Sequence, residues 1–335
     1  MSTAEVVAGI LWLALTAYAV LGGADFGGGV WDLLASGPRA NEQRSAVAEA
    51  MGPVWEANHV WLIFLITGLF TAFPETFAVL ALALYIPFTI ALVGIVLRGA
   101  SFAFRAHGAE AVGPTSPWGV IFGVASIGTP FFLGTAAAAV ASGSIRAPGG
   151  QLASGFFDGW TTLLAVVIGL FALSICAYLA AIYLMVENED RPALLADFRR
   201  RAIAAAFVSG VLALLAAAIS FFEGSRLAET LTGRGLPLFV LALINGPLAL
   251  WAVWRSRPRI ARAAVIGQVV LVLWAWAIGQ WPYLVPPDLT ISATAAPGAT
   301  MTGMLVVIAG GGLVLLPSLW LLFRVFKARN PQARA

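Results

Sequence analysis

Charged residues are scarce in this sequence. Only 10% of its 335 residues are Asp, Glu, Lys or Arg, whereas 60% are hydrophobic and the mean hydropathy is +0.91. A soluble domain carries about a quarter charged residues, so this chain has too few polar groups to cover a surface in water. The composition therefore excludes a soluble globular protein and predicts an all-α, polytopic transmembrane helical bundle.

Histidine and cysteine are scarcer still, with two residues and one residue respectively. Cys176 lies in an apolar run, which argues against a disulfide or an iron–sulfur site. Bis-histidine heme ligation within the chain would need both His59 and His107, but His107 is predicted to lie in a cytoplasmic loop. The sequence also has no zinc-ligand spacing and no phosphate-binding glycine loop. We therefore expect no metal ligated by this chain and no complete redox or hydrolytic centre within it.

The hydrophobic residues form runs long enough to cross the ~30 Å hydrocarbon core of a bilayer. The first run has no basic region before it and no clear cleavage site, so we expect a retained helix and not a signal peptide. Nothing indicates a separate soluble domain, and residues 1–335 are expected to form one integral membrane domain. The nine predicted spans are 6–34, 53–72, 77–97, 118–141, 160–186, 202–222, 236–254, 263–281 and 303–323.

The basic residues predict the orientation, because loops rich in Lys and Arg stay on the cytoplasmic side. With the N-terminus outside, sixteen of the 19 Lys and Arg residues fall on the cytoplasmic side, among them Arg98 and Arg105. The other three are Arg146, Arg226 and Arg234. We therefore predict an outer N-terminus and a cytoplasmic C-terminus. The main outer loops are then 72–77, 141–155 and 281–300, the last with an aromatic and proline cluster typical of a membrane interface.

Acidic residues inside membrane spans are candidates for function, because charge is costly in lipid. Most acids of this chain lie in loops or at helix ends, and Glu187, for example, lies among cytoplasmic arginines. Asp25 in the first span and Glu56 in the second are the exceptions. A rise of about 1.5 Å per residue places both at a similar depth, in the cytoplasmic third of the membrane. The two spans are predicted either to form a small polar pocket open to the cytoplasm or to anchor their hairpin among lipid headgroups.

Helical spacing adds neighbours to each acid. Asp25 shares a face with Gly28 and Gly29, and glycines on one face allow another helix to approach closely. Glu56 and His59 are three residues apart and face the same way, with Trp55 and Asn58 beside them. A lone membrane histidine is more often a hydrogen-bonded packing group than a ligand, so His59 is expected to pack.

Several motifs resemble subunit II of the cytochrome bd-type quinol oxidases. The resemblance covers essentially the whole length, and the first hundred residues are its most specific part. The stretch EANH and the short chain are closer to the cyanide-insensitive branch of that family. The matching motifs are GGADFGGGVWDLL (22–34), GPVWEANHVWLI (52–63), TAFPETF (71–77), RGASFAFR (98–105) and WPYLVPP (281–287).

The resemblance implies a subunit of a complex that oxidises quinol, reduces O2 to water and takes protons from the cytoplasm, in the bacterial inner membrane. Hemes b558, b595 and d belong to subunit I, a separate chain of similar architecture that forms a heterodimer with subunit II. Subunit II ligates no heme and is required for heme assembly and stability. Small single-helix accessory subunits often join the complex, and some members bind a quinone in subunit II.

Two residues match the hydrophilic path that the family places in subunit II. Glu56 stands at the second-helix acid, where aspartate is also common, and Asp25 matches the first-helix aspartate. Glutamine is common at the position of His59, so an essential ligand is not expected there. A proton-coupled secondary transporter that uses the same acids is the alternative, although no internal inverted repeat is evident.

Overall fold

The computed structural model describes residues 2–51, 55–107 and 117–327. Within this part the chain forms twelve α-helices, a 3₁₀ turn at Pro148–Gly150 and a two-stranded antiparallel hairpin, Tyr283–Val285 (β1) with Leu289–Thr290 (β2). The helices are α1 (Thr3–Leu33), α2 (Ala40–Met51), α3 (Trp55–Ala72), α4 (Pro74–Ala83), α5 (Tyr85–His107), α6 (Pro117–Ala141), α7 (Leu163–Glu187), α8 (Pro192–Phe222), α9 (Arg226–Thr232), α10 (Leu236–Trp254), α11 (Pro258–Gln280) and α12 (Gly298–Lys327).

The described residues confirm a multi-pass helical membrane fold. Eight helices are long and apolar enough to cross a bilayer, namely α1, α5, α6, α7, α8, α10, α11 and α12. A ninth crossing results if α2 and α3, which are inclined at 53°, count as one bent span. The nine predicted spans therefore agree with the upper count, and the bounds of α10 are the predicted ones, 236–254.

The third predicted span, 77–97, is wrong in its bounds. The chain breaks at Leu84, so that a short α4 precedes a crossing that begins at Tyr85. Pro87 explains the break, because it has no N–H to donate to the carbonyl four residues earlier, at Ala83. Helix α5 also continues to His107, which was expected in a loop.

Helices α1 and α7 form the centre of the bundle. The largest group of packed, buried side chains runs along them and includes Trp31, Leu179 and Met185. The indole N–H of Trp31 donates to the carbonyl oxygen of Ala177 at 2.7 Å, which ties the two helices together inside the membrane. In contrast, no residue in the most apolar stretch of α12 is buried within this chain.

The loops separate into two ends in the way that the charge pattern predicts. At one end, the predicted outer segments meet: Arg146 bonds to Asp288 at 2.9 Å, and the hydroxyl of Thr76 donates to that of Thr294 at 2.9 Å. At the other end, segments from the predicted cytoplasmic side are joined by the ion pairs Arg39–Asp197, Arg191–Glu49 and Arg259–Glu189. Arg98 departs from the predicted cytoplasmic position, because it lies inside the bundle.

Candidate functional site

Glycines on α1 allow neighbouring helices to pack closely around the segment of α1 that contains Asp25. A Cβ atom added to Gly27 would overlap the backbone carbonyl of Cys176, so α1 and α7 are in backbone contact there. A Cβ on Gly28 would overlap the sulfur of Met51 on α2, and one on Gly29 would overlap the hydroxyl of Ser126 on α6. The glycine-rich run therefore surrounds this part of α1 with close-packed neighbours, as small residues do in membranes.

Asp25 is buried and bound by an amide. The residue is 4% exposed, and its Oδ2 accepts a hydrogen bond of 2.7 Å from Nδ2 of Asn58 on α3, which is also 4% exposed. A carboxyl group has an acceptor oxygen whether or not it is protonated, so this hydrogen bond is compatible with both states of Asp25. Asn58 therefore fixes the side chain of Asp25 without fixing its charge.

Glu56 lies on a different face of α3. It is two residues before Asn58, and two residues turn an α-helix by about 200°. Asn58 consequently faces α1, whereas Glu56 is exposed at the surface of this chain. The pocket that was predicted to join Asp25 with Glu56 has Asn58 in the position expected for Glu56.

His59 packs against aromatic rings. Its imidazole makes edge-on contacts with Tyr18 and Phe26 of α1, with 5.9 Å between ring centroids in each case. The side chain is half-buried, as expected for a packing group. Trp55 begins α3, but its side chain lies outside the described part of the chain.

A cavity of about 100 Å³ opens beside Asp25, between α1, α2, α3 and α7. This volume is enough for several water molecules. Most of its wall is apolar, Asp25, Asn58 and Tyr183 are among the residues that line it, and Glu187 at the end of α7 is exposed to solvent. The complete lining is Leu21, Ala24, Asp25, Gly28, Val47, Ala50, Met51, Asn58, Ala180, Tyr183, Leu184 and Glu187.

Arg98 is a buried cation next to Asp25. The residue is 2% exposed, and its Nη2 donates to the backbone carbonyl of Asp25 at 2.9 Å. Its Nε donates to Ser126 at 3.2 Å, and the guanidinium lies over the rings of Phe26 and Phe122 at 5.0 and 5.2 Å. Buried charge of this kind is costly unless it is hydrogen-bonded, and these contacts stabilise it.

Sequence reasoning missed Arg98 and Glu187 because each was interpreted as a charge outside the membrane. The apolar residues Ala100, Phe102 and Phe104 after Arg98 were the available signal that the helix continues. For Glu187 the signal was Tyr183, one helical turn earlier, which gives the end of α7 a polar face.

Metal-ligating side chains are scattered over the described part of the chain. Within the described residues, no three His, Cys, Asp or Glu side chains cluster in a way that would hold a metal ion. The ring of His59 lies in edge-on contact with the rings of Tyr18 and Phe26.

Three comparisons with known proteins agree with one another. The family model "Cytochrome bd terminal oxidase subunit II" matches residues 3–326. A curated relative from Bacillus subtilis, "Cytochrome bd ubiquinol oxidase subunit 2", is 33% identical over 130 residues, which are 37% of this chain and 37% of that protein. A second, "Putative cytochrome bd menaquinol oxidase subunit II" from the same organism, is 22% identical over 330 residues and covers 95% of this chain and 93% of its own.

The fold is also that of a solved structure. "The structure of bd oxidase from Geobacillus thermodenitrificans" contains a chain that superposes with a TM-score of 0.75 at 22% identity. The match covers 98% of this chain and 100% of the other. Because the family model extends over nearly all of the chain, this protein belongs to the cytochrome bd terminal oxidase subunit II family.

Proposed function

We propose that this chain is the non-heme subunit II of a quinol:O2 oxidoreductase in a bacterial inner membrane, with its N-terminus outside and its whole length in one membrane domain. The observation that carries the proposal is the family match over residues 3–326. The polar site around Asp25 supports it, because buried acids in membranes mark pathways for ions or protons.

The proposed partner is subunit I, which would hold hemes b558, b595 and d and oxidise the quinol. The exposed position of Glu56 supports a partner on that face, because a carboxylate on a membrane bundle needs water or a polar protein neighbour. A small single-helix subunit and a bound quinone remain part of the proposal. The two relatives carry different quinols in their names, so ubiquinol and menaquinol both remain candidates.

Asp25 and Glu56 are the proposed proton carriers of this chain. Asp25 is held inside the bundle by Asn58 and adjoins a cavity with room for water, whereas Glu56 faces outward. A proton that binds the carboxylate of Asp25 leaves its hydrogen bond from Asn58 in place. Asp25 is therefore suited to accept and release protons without rearrangement of α1 and α3.

An absorption spectrum tests the function as a whole. The chain is purified first with its native membrane partners and then alone. Heme bands with quinol-dependent O2 uptake in the first sample, and no heme in the second, are expected for subunit II. No heme in either sample would contradict the proposal and favour the proton-coupled transporter.

Substitution of Glu56 tests the proton role. Glu56→Gln removes the proton-binding group from the assembled complex, whereas Glu56→Asp keeps it. We expect the Gln variant to slow proton delivery and O2 uptake at normal heme content, and the Asp variant to retain both. Full O2 uptake with full proton delivery in the Gln variant would exclude a role for Glu56 in the path, and loss of heme would indicate a structural role.

A further inference from the structure

We propose that Glu187 is the proton-collecting residue at the mouth of the cavity that leads to Asp25, so that this chain has an internal proton branch separate from Glu56. The inference rests on the proposed function and adds a residue to it. It starts from two observations: Glu187 and Asp25 line one cavity, and Glu56 does not line it.

Two helical faces build the walls of this branch. On α1 the lining residues are Leu21, Ala24, Asp25 and Gly28, and on α7 they are Ala180, Tyr183, Leu184 and Glu187. Both sets follow the spacing i, i+3, i+4 and i+7, so each is one continuous face that extends for about 10 Å. The cavity thus follows two helices for about two turns and is not a local packing defect.

The two ends of the α7 face differ in exposure. Glu187 is the last residue of α7 and is exposed, whereas Ala180 is 2% exposed and Asp25 is 4% exposed. The hydroxyl-bearing side chain of Tyr183 lines the wall between these levels. A proton from solvent can therefore bind a carboxylate oxygen of Glu187, pass through water in the cavity and bind the carboxylate of Asp25. Only O–H bonds form and break, and one positive charge moves inward.

Three other acids at this end of the bundle form ion pairs outside the cavity. Glu49 pairs with Arg191, Glu189 with Arg259, and Asp197 with Arg39, whereas none of the three acids lines the cavity. Arg262 of α11 interacts electrostatically with Tyr183, and Arg98 adjoins Asp25 from α5. The further titratable or charged groups on the surrounding helices are Glu5, Tyr18 and Asp32 of α1, Glu42 and Arg44 of α2, Glu56 and His59 of α3, Cys176 and Tyr178 of α7 and Arg199, Arg200 and Arg201 of α8, and Asp190 lies shortly after α7.

The experiment uses the assembled complex with its partner subunit and measures quinol-dependent O2 uptake and proton uptake from pH 6 to pH 9. Glu187→Gln removes the collecting group. Glu189→Gln is the matched control, because it removes a carboxylate two residues away that bonds to Arg259 at 3.0 Å outside the cavity. Ala50→Leu is a second test, because it narrows the cavity with every acid retained.

We expect Glu187→Gln to slow turnover about threefold or more at alkaline pH, where protons are scarce, and less at pH 6, with heme content unchanged. Ala50→Leu should slow turnover in the same direction, Glu187→Asp should restore most of the rate, and Glu189→Gln should follow the wild type. Equal pH profiles for Glu187→Gln and Glu189→Gln in an active complex would overturn this inference alone. A wild-type complex without heme or O2 uptake would overturn the proposed function and the inference with it.

Discussion

Helices α1 and α12 are alike in length and hydropathy but differ in their surroundings. They have 31 and 30 residues, and their most apolar stretches have hydropathies of 2.0 and 2.3. In α1, 44% of that stretch is buried within the chain, and in α12 none of it is. Hydropathy therefore predicts that a helix crosses the membrane, but not whether it lies at the centre of the bundle or at its edge.

The surroundings of the glycines differ in the same way. Each of the two helices contains three glycines in succession. In α1, a Cβ on any residue of Gly27–Gly29 would collide with α7, α2 or α6. In α12, a Cβ on any residue of Gly310–Gly312 would have no neighbour within 4 Å. A glycine triplet thus indicates helix contact only where a partner helix is present.

The largest effect is expected at Gly27. Gly27→Val would force the backbone of Cys176 away, because a backbone carbonyl cannot yield in the way that a side chain can. Overpacking costs about 1–3 kcal/mol in ordinary cores, and we expect the upper end of this range or loss of folded protein. Thermal unfolding in detergent and size-exclusion chromatography measure this loss of stability, with Gly311→Val as the control. Equal stability of the two variants would refute the contrast between the triplets.

Two arginine–aromatic contacts sharpen the comparison. Arg98 lies 5.0 Å from the ring of Phe26, and Arg324 of α12 lies 5.0 Å from that of Trp320. Arg98→Gln removes a buried cation that also bonds to Asp25 and Ser126. We therefore expect it to lower the free energy of unfolding by about 3 kcal/mol.

Arg324→Gln should lower the free energy of unfolding by less than about 1 kcal/mol, because Arg324 is exposed. The midpoints of thermal unfolding of the two variants measure the difference. Similar midpoints would show that burial of Arg98 contributes little.

Asn58→Leu should have an intermediate effect on the stability of the protein. It leaves a buried carboxyl oxygen of Asp25 without its amide donor, which costs about 1–3 kcal/mol. The control is Ser318→Ala on α12, because the Ser318 hydroxyl is exposed and bonds only to the carbonyl of Val314 among the contacts described. Heat inactivation of the complex should accelerate for Asn58→Leu alone, and an unchanged rate would exclude a positioning role.

The smallest expected effect is the pH dependence of stability that arises from Asp288, in the loop before α12. The hydrogen bond from Arg146, together with its positive charge and the backbone N–H of Ala147, lowers the pKa of Asp288. A carboxyl group whose pKa is lower in the folded state than in the unfolded state stabilises the folded state at neutral pH. This stabilisation is lost only as pH falls below about 4 toward the lowered pKa.

The side chain of Arg146 is 55% exposed, so the contribution is small. We expect wild type and Asp288→Asn to differ slightly in thermal midpoint at pH 7 and to converge under acid conditions. A difference that grows as pH falls would contradict this sign.

The sequence predicted the crossings well because each depends on local hydropathy, and it predicted the interior poorly because that depends on partners. Asp25 was identified as an intramembrane acid, and its burial agrees. The exposed position of Glu56 was not foreseen, since the face that α3 turns to α1 is decided by packing. The break at Leu84 was missed although Pro87 was visible, because the apolar run continues through it. Assignment to the cyanide-insensitive branch remains a prediction.

The hairpin before α12 has a consequence for synthesis of the protein. The hairpin supplies Asp288 to Arg146, and the segment after it supplies Thr294 to Thr76 and the N–H of Ala296 to the carbonyl of Ala72 at 2.8 Å. Residues 281–297 leave the ribosome after all but the last helix, and chains fold from the N-terminus as they are made. The ends of α3, α4 and α6 on that side of the bundle therefore lack these partners until translation is nearly complete. A chain truncated before residue 281 would insert its earlier helices but leave that side of the bundle open.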